Sequence, residues 1–141
     1  MNVSTVDREQ QTFEAVPISA RAARQFVTET LRSHGATVQV MKDYALVVSE
    51  LATNIIEHGD GSSLVIFIDV AHADWWEVEV VGGSSAPSAQ LLQPETWTVA
   101  SAEKASGRGL GIVRHVMDDI STGSNDGQVS IRCRRRKMAA E

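Results

Sequence analysis

Apolar residues recur along this chain with two different periods, and each period predicts one type of element. They return every three to four positions in residues 19–33 and again in residues 37–58, which predicts two helices. Ser19 is suited to cap the first helix, and Gly35 and Gly59 follow the two segments, where helix ends are expected. The pattern therefore predicts two consecutive helices with one apolar face each.

Alternating β-branched and aromatic residues predict the strands. The expected strands are residues 12–18, where Pro17 favours an edge or a strand end, residues 64–70 and 75–81, which form a hairpin, and residues 128–134. Residues 82–106 lack a period, which is typical of a functional loop, and residues 109–120 again have helical spacing. This order predicts a two-layer α/β sandwich, with one mixed sheet and the helices on a single face.

Composition indicates one ordinary globular domain. The chain has 141 residues, 43% of them hydrophobic and 22% charged. We expect a flexible lead over residues 1–11, a single domain over residues 12–136 and a tail over residues 137–141. No apolar run approaches the roughly 20 residues of a membrane helix, and no signal peptide begins the chain, so a cytoplasmic protein without membrane contact is expected. Cys133 is the single cysteine, which excludes an internal disulfide.

The net charge and the positions of the tryptophans indicate which kinds of macromolecule the protein could bind. The net charge of −5 weighs against direct nucleic-acid binding, and the basic run at residues 132–137 is more simply explained as a solvated strand end. Trp75 and Trp76 are adjacent on a predicted strand, so one is expected in the core and the other exposed. An exposed Trp marks either a protein interface or ordinary surface.

The segment around Glu50 and Asn54 carries the first candidate chemistry. These two residues lie four positions apart on the second predicted helix, so a carboxylate is stacked above a carboxamide on one face. A carboxylate can accept a proton from a nucleophile, and a carboxamide oxygen suits Mg²⁺. Asn is also a poor helix former, so its place in mid-helix needs a reason. The alternative for Glu50 is a solvated surface residue.

A glycine-rich segment follows about fifty residues later. Gly107, Arg108, Gly109, Leu110 and Gly111 are expected to form a loop that runs into the third helix. Backbone N–H groups without side-chain bulk at a helix start are suited to bind phosphate. The Arg108 guanidinium either lies close to such a phosphate or faces water.

Together, in this order and separation, the two segments resemble the N box and G2 box of the GHKL (Bergerat) nucleotide-binding fold. Gyrase, the histidine kinases and the small anti-sigma-factor serine/threonine kinases share this fold, and the resemblance to the last group covers roughly residues 12–134. It implies that Glu50 is the general base, that Asn54 is the Mg²⁺ ligand, that residues 107–111 hold the phosphates of ATP, and that residues 82–106 are the ATP lid. His58, one turn beyond Asn54, either contacts phosphate or simply interacts with the helix C-terminus.

The sequence departs from this family's pattern at one place. Family members carry an Asp, followed by glycines, where the strand before the lid ends, and the Asp accepts a hydrogen bond from the adenine amino group. Gly82 stands at that position, with Ser84 and Ala86 at those of the glycines. Glu79 is the nearest carboxylate but is three residues away. The loss of a buried hydrogen bond costs about 1–3 kcal/mol, so weaker and less adenine-specific binding is expected.

The resemblance implies a protein kinase of bacterial partner switching. Such a protein holds a sigma factor and uses Mg-ATP to phosphorylate a serine on a small anti-sigma antagonist protein. It also implies a homodimer that leaves residues 82–111 free, and the predicted edge strand at residues 12–18, followed by exposed Arg21, Arg24 and Gln25, is the surface expected to form it. The alternative is a degenerate regulator of the same fold that acts by stoichiometric protein binding.

Overall fold

The computed structural model describes residues 8–84, 87, 89–97 and 105–137, and in residues 105–108 the backbone alone. The described part of the chain contains five strands and three α-helices. In chain order they are β1 (Arg8–Phe13), α1 (Ser19–Ser33), α2 (Val38–His58), β2 (Leu64–Asp69), β3 (Trp75–Gly83), α3 (Ala105–Val116), β4 (Asp119–Asn125) and β5 (Gln128–Arg136), with a short 3-10 helix (Pro94–Thr96) before α3. None of these helices is both long and apolar enough to cross a membrane.

The strands form one sheet in the order β1-β2-β3-β5-β4. All four pairings are antiparallel, whereas a mixed sheet was predicted. The difference comes from β4, which the sequence pattern did not reveal. If α3 led directly into β5, that strand would run parallel to β3. Because β4 and a two-residue turn at Asp126 and Gly127, both with positive φ, come first, the chain reverses direction before β5 begins.

The prediction of two layers is confirmed, with the helices against one face of the sheet. Alternate residues of the central strands point toward α1 and α2 and are buried. These residues are Leu64, Ile66 and Ile68 of β2, Trp76, Val78 and Val80 of β3, and Val129, Ile131 and Cys133 of β5. Trp76 belongs to this core and Trp75 lies on the opposite, partly exposed face, as alternation predicted.

Helix α2 is capped at its start and tied to the sheet by Tyr44. The Thr37 hydroxyl accepts the backbone N–H of Val40 at 3.2 Å, which caps the helix start as predicted. The buried hydroxyl of Tyr44 lies 2.7 Å from the Trp76 carbonyl and 3.0 Å from the Cys133 carbonyl, which ties the helix to β3 and β5. Burial raises the pKa of this Tyr44 hydroxyl well above its usual value, so it stays protonated and can donate. The helix therefore holds a defined position above the sheet.

The first strand was predicted wrongly. It runs from Arg8 to Phe13 instead of over residues 12–18, so residues 8–11, which we expected in the flexible lead, belong to the sheet, while residues 1–7 lie outside the described residues. Val16 and Ile18, whose alternation suggested a strand, are 39% and 75% exposed. An edge strand that covers little core needs few apolar residues, which explains why the pattern misled. Its edge position was predicted correctly.

The third helix also lies earlier than predicted. It begins at Ala105 and ends at Val116, whereas residues 109–120 were expected, and residues 119–125 form β4. The glycine-rich segment therefore falls inside the helix rather than in a loop before it.

The basic run at the end of the chain is largely paired within the fold. Arg134 donates to Glu77 at 2.8 Å, and Arg135 forms an ion pair with Asp43. The Arg132 guanidinium donates to the Ser121 hydroxyl at 3.2 Å. These contacts agree with the interpretation of the run as a strand end.

Candidate functional site

The predicted stripe on α2 exists as expected. Glu50, Asn54 and His58 follow one another at four-residue intervals, Glu50 and Asn54 half-buried and His58 exposed. Among the described residues, the side chains of Glu50 and Asn54 make no hydrogen bond, and His58 has only a weak contact with Glu57 at 3.9 Å. The carboxylate and the carboxamide are thus left available for a ligand.

A cavity of about 300 Å³ lies between this stripe and α3. Its lining consists of Glu50, Thr53, Asn54, Glu57, His58, Gly109 and Leu110. A second cavity, of about 370 Å³, is bordered by the same Asn54, His58 and Leu110 and extends toward the end of β3. It is lined in addition by Ile55, Gly59, Ser84, Pro87, Gln90, Leu91 and Val129. The shared residues make the two cavities adjacent, with Asn54 between one that two carboxylates line and one that several aliphatic side chains line.

Helix α3 closes the first cavity by a close contact at Gly109. A Cβ atom at this position would overlap the Glu50 carboxylate oxygen and lie 3.0 Å from the carboxylate carbon. The absence of a side chain at Gly109 therefore allows Glu50 to lie directly against the backbone of α3. Leu110 and Gly111 are buried next to it.

The phosphate-binding prediction for the glycine segment needs a correction in its geometry. Because α3 begins at Ala105, Gly107 and Arg108 lie in its first turn and Gly109, Leu110 and Gly111 in its second. The N–H groups that lack a helical partner belong to the first turn, so residues 105–108, rather than Gly109–Gly111, carry the free donors. The Arg108 side chain, for which phosphate contact was one prediction, lies outside the described residues.

Gly82 is placed where the second cavity meets the sheet. It pairs with Leu64 on one side and Val129 on the other. A Cβ atom at this position would point toward the helices, where Ile55 lies. None of the described residues that line the second cavity has a carboxylate. Glu79 points away, since it is bound to Arg8 at 2.8 Å on the opposite sheet face. The prediction that Glu79 cannot replace the missing Asp agrees with this geometry.

Asp60 is a carboxylate near this strand end that sequence reasoning did not consider. Its backbone N–H donates to the Gly83 carbonyl at 2.9 Å. The Ser62 hydroxyl and backbone N–H bond to its carboxylate and lower its pKa below the usual range. A Cβ atom at Gly83 would overlap the Asp60 carboxylate. Asp60 therefore stays ionised beside Gly83, outside both cavities.

The described part of the expected lid is packed rather than loose. Trp97 is 1% exposed, and its indole N–H donates to the Gln90 carbonyl at 2.7 Å. Arg114 of α3 donates to the carbonyls of Glu95 and Trp97 at 2.8 and 3.2 Å. Leu91, also buried, lines the second cavity. These contacts hold residues 89–97 over the cavity, and the lone Trp in a polar stretch was the available signal for them. Residues 85, 86, 88 and 98–104 of the predicted lid lie outside the described residues.

The donor set limits which metal the site suits. Within the described residues, no three His, Cys, Asp or Glu side chains lie together as a ready-made metal site. Mg²⁺ commonly takes one or two protein oxygens and completes its shell with water and substrate phosphates, so a single Asn54 carboxamide at the cavity border fits this ion better than zinc or calcium.

The fold and this site define a class of protein. Residues 13–134 match the histidine kinase-like ATPase domain, and the chain belongs to that family. The GHKL-type fold inferred from the resemblance is therefore confirmed.

Two solved structures are similar to the chain. The first contains the RsbU and RsbW domains of Rv1364c from Mycobacterium tuberculosis, with a TM-score of 0.69, 19% identity and 95% of this chain covered. The chain spans about a third of the length of that protein (34%). The second is the SiaB-SiaC complex from Pseudomonas aeruginosa, with a TM-score of 0.64, 13% identity, and 92% of this chain and 89% of that chain covered. No curated protein sequence matched the chain. At these identities the structural likeness shows the fold alone.

Proposed function

We propose that this protein is an anti-sigma-factor-like serine/threonine protein kinase that works in the bacterial cytoplasm. It uses Mg-ATP to phosphorylate a small antagonist protein and binds a sigma factor in the alternative state of the switch. The observation that carries the proposal is the arrangement of Glu50 and Asn54 on one cavity wall, with Gly109 and Leu110 in the second turn of α3 as the facing wall.

Glu50 is the proposed general base. Its carboxylate is half-buried, has no hydrogen-bond partner among the described residues and borders the cavity that a substrate hydroxyl would enter. It accepts the proton of the serine or threonine hydroxyl as that oxygen bonds to the γ-phosphorus of ATP, while the bond from this phosphorus to the β–γ bridging oxygen breaks and ADP leaves. The Gly109 backbone limits the positions open to the carboxylate, which helps to hold it in place.

Asn54 and the first turn of α3 are the proposed binding elements for Mg-ATP. Bound Mg²⁺ would neutralise the charge that develops on the phosphate oxygens. The Asn54 carboxamide oxygen would hold the ion, and the free N–H groups of residues 105–108 would donate to phosphate oxygens. His58, exposed at the edge of both cavities, is in place to approach the same anion. The second cavity, under residues 89–97, is then the site for the base and sugar.

The partners are proposed from the fold and from charge. One similar structure is a complex of SiaB with SiaC, which supports the expectation that a domain of this kind acts on or with a second protein. The acidic net charge and the paired arginines of β5 give no support to nucleic-acid binding.

One observation favours a second candidate function, that of a regulator which acts by stoichiometric protein binding. The part of the base cavity that the structure describes has no carboxylate, and Ile55 covers Gly82, where the family pattern has one. A protein that no longer used ATP would have no need of that carboxylate. The intact Glu50 and Asn54 pair argues for the kinase.

Isothermal titration calorimetry on the purified protein separates the two functions. The kinase proposal expects heat with Mg-ATP at micromolar to millimolar concentration, a smaller signal when Mg²⁺ is chelated, and similar affinities for Mg-ATP and Mg-GTP. Asn54→Ala serves as the matched control and should lose the Mg²⁺-dependent part. No heat and no thermal shift with millimolar Mg-ATP would favour the regulator instead.

A further inference from the structure

Gly82 is the residue at which the family pattern and this chain disagree, and the structure contains a physical reason for the glycine. Its backbone is not in the left-handed region, so conformation does not require glycine there. A Cβ atom at residue 82 would, however, overlap the Cγ2 methyl group of Ile55. With Ile at position 55, residue 82 has no room for any side chain.

The overlap involves one methyl group of Ile55 and little else. The next nearest atoms to the Cβ position are the Ile55 Cβ and the Ser63 carbonyl oxygen, both at 3.5 Å, which is ordinary van der Waals contact. Ile55 is 3% exposed and lines the second cavity directly above Gly82. Its side chain therefore fills the space through which a side chain from residue 82 would enter that cavity.

We propose that Ile55 is a specificity-determining residue, which closes the base cavity to a carboxylate from residue 82 and makes the site bind purine nucleotides without reading the 6-amino group. The inference rests on the proposed nucleotide site and adds that this site does not distinguish purines that have a 6-amino group from purines that lack one. Next to Gly82 this cavity is bordered by Ile55 and Val129, which offer a base apolar contact, and none of its described lining residues has a carboxylate that could take the place of the family's Asp.

Asp60 does not restore the missing acceptor. Its carboxylate lies against Gly83, and consecutive residues of a strand face opposite sides of the sheet. Gly82 faces the helices and the cavity, so Asp60 is on the other side. Its hydrogen bonds to Ser62 hold it there.

The packing part of the proposal is tested without any nucleotide. Gly82→Ala should lower the melting temperature by roughly 5–10 °C in the presence of Ile55, because the added methyl overfills the site. In an Ile55→Ala background the same change should cost little, since the Cβ atoms would then be 3.5 Å apart. Leu51→Ala, one turn earlier on α2 and equally buried, is the matched control and should leave the cost of Gly82→Ala undiminished. Equal costs in all three backgrounds would overturn the proposed coupling.

The specificity part uses ATP and purine riboside triphosphate, which lacks the 6-amino group, each with Mg²⁺. The wild-type protein should bind both with affinities within about threefold. The Ile55→Ala/Gly82→Asp variant should prefer ATP by about 10-fold or more, which corresponds to one regained hydrogen bond. Ile55→Ala/Gly82→Ala, which has the same opened cavity but no carboxylate, should show no preference.

The outcomes separate this inference from the proposed function. Wild-type binding of both nucleotides, with no preference gained in the Asp variant, would overturn the role of Ile55 and leave the kinase proposal intact. Binding of neither nucleotide by the wild-type protein would contradict the kinase proposal. In that case, ATP binding gained by the Asp variant would still support the role of Ile55, and its failure to bind would overturn that role. A wild-type preference of tenfold or more for ATP would also overturn the inference, because the site would then read the amino group by other means.

Discussion

Gly109→Ala tests whether the position of the Glu50 carboxylate matters for phosphoryl transfer. The new Cβ atom would overlap the carboxylate oxygen and lie 3.0 Å and 3.6 Å from the next two carbons of the Glu50 side chain. These atoms form the end of a flexible side chain, so the carboxylate can move while the two helices stay in place. Ala in place of Gly within a helix gains about 0.8–1 kcal/mol, and an off-rotamer Glu side chain costs about 0.5–1.5 kcal/mol.

The variant should therefore stay within about 1 kcal/mol of the wild-type free energy of unfolding while it loses activity. A displacement of a catalytic group by about 1 Å costs on the order of 100-fold in rate, and that is the loss expected here. The assay is transfer of ³²P from γ-labelled ATP to protein in an extract of the source cells, with urea unfolding measured in parallel.

A double variant tests whether Gly109→Ala lowers the transfer rate by acting through Glu50. Glu50→Gln removes the base, so adding Gly109→Ala to it should cause no further loss of transfer. A folded Gly109→Ala protein that transfers phosphate at the wild-type rate would show that the position of the Glu50 carboxylate does not matter for transfer. A double variant slower than Glu50→Gln by another 100-fold would show that Gly109→Ala acts on something other than Glu50.

Three further predictions follow from the site and the surface. Glu50→Gln should leave Mg-ATP affinity nearly unchanged and slow transfer by about 10²- to 10⁴-fold, whereas Asn54→Ala should weaken Mg²⁺-dependent binding itself, and equal effects on binding would mean that the roles are misassigned. Arg114→Ala removes the donors to two carbonyls of residues 89–97, so acrylamide should quench Trp97 fluorescence more strongly, and unchanged quenching would show that Arg114 does not hold the segment. Light scattering should find a homodimer formed at the exposed β1 edge, away from residues 82–111, and a monomeric mass at high micromolar concentration would exclude it.

Helices α1 and α2 could be predicted from the sequence because their burial is periodic. Helix α1 covers the predicted residues and α2 ends at His58 as predicted, since an amphipathic face and a following glycine are local features. The prediction that Ser19 caps α1 was wrong, because Ser19 is the first helical residue and the N-cap position is taken by Ile18, which has no side-chain hydrogen bond to offer. Strand β4 could not be found in this way. Its sequence, Asp-Ile-Ser-Thr-Gly-Ser-Asn, is polar and rich in residues that strands disfavour, and it is held by pairing with β5 at the sheet edge.

Of the candidate site, only the part that lies on a single helix could be predicted from the sequence. The stripe of Glu50 and Asn54 follows from four-residue spacing on one helix, which is local information. The relation between Ile55 and Gly82 is a contact between a helix and a strand that are 27 positions apart in the sequence, and no periodicity reveals it. The start of α3 was predicted wrongly because glycine disfavours a helix locally. A glycine-rich segment therefore predicts a loop unless its packing against α2 is known.

Kinase activity is tested most directly by identifying the residue that becomes phosphorylated. The purified protein is incubated with Mg-ATP labelled at the γ-phosphate and an extract of the source cells, and labelled protein is analysed by mass spectrometry, with Glu50→Gln as the matched control. We expect phosphoserine or phosphothreonine on a small protein after incubation with the wild-type protein, and no such label with the variant. Equal labelling by Glu50→Gln, or no labelling although Mg-ATP binds, would contradict the kinase proposal.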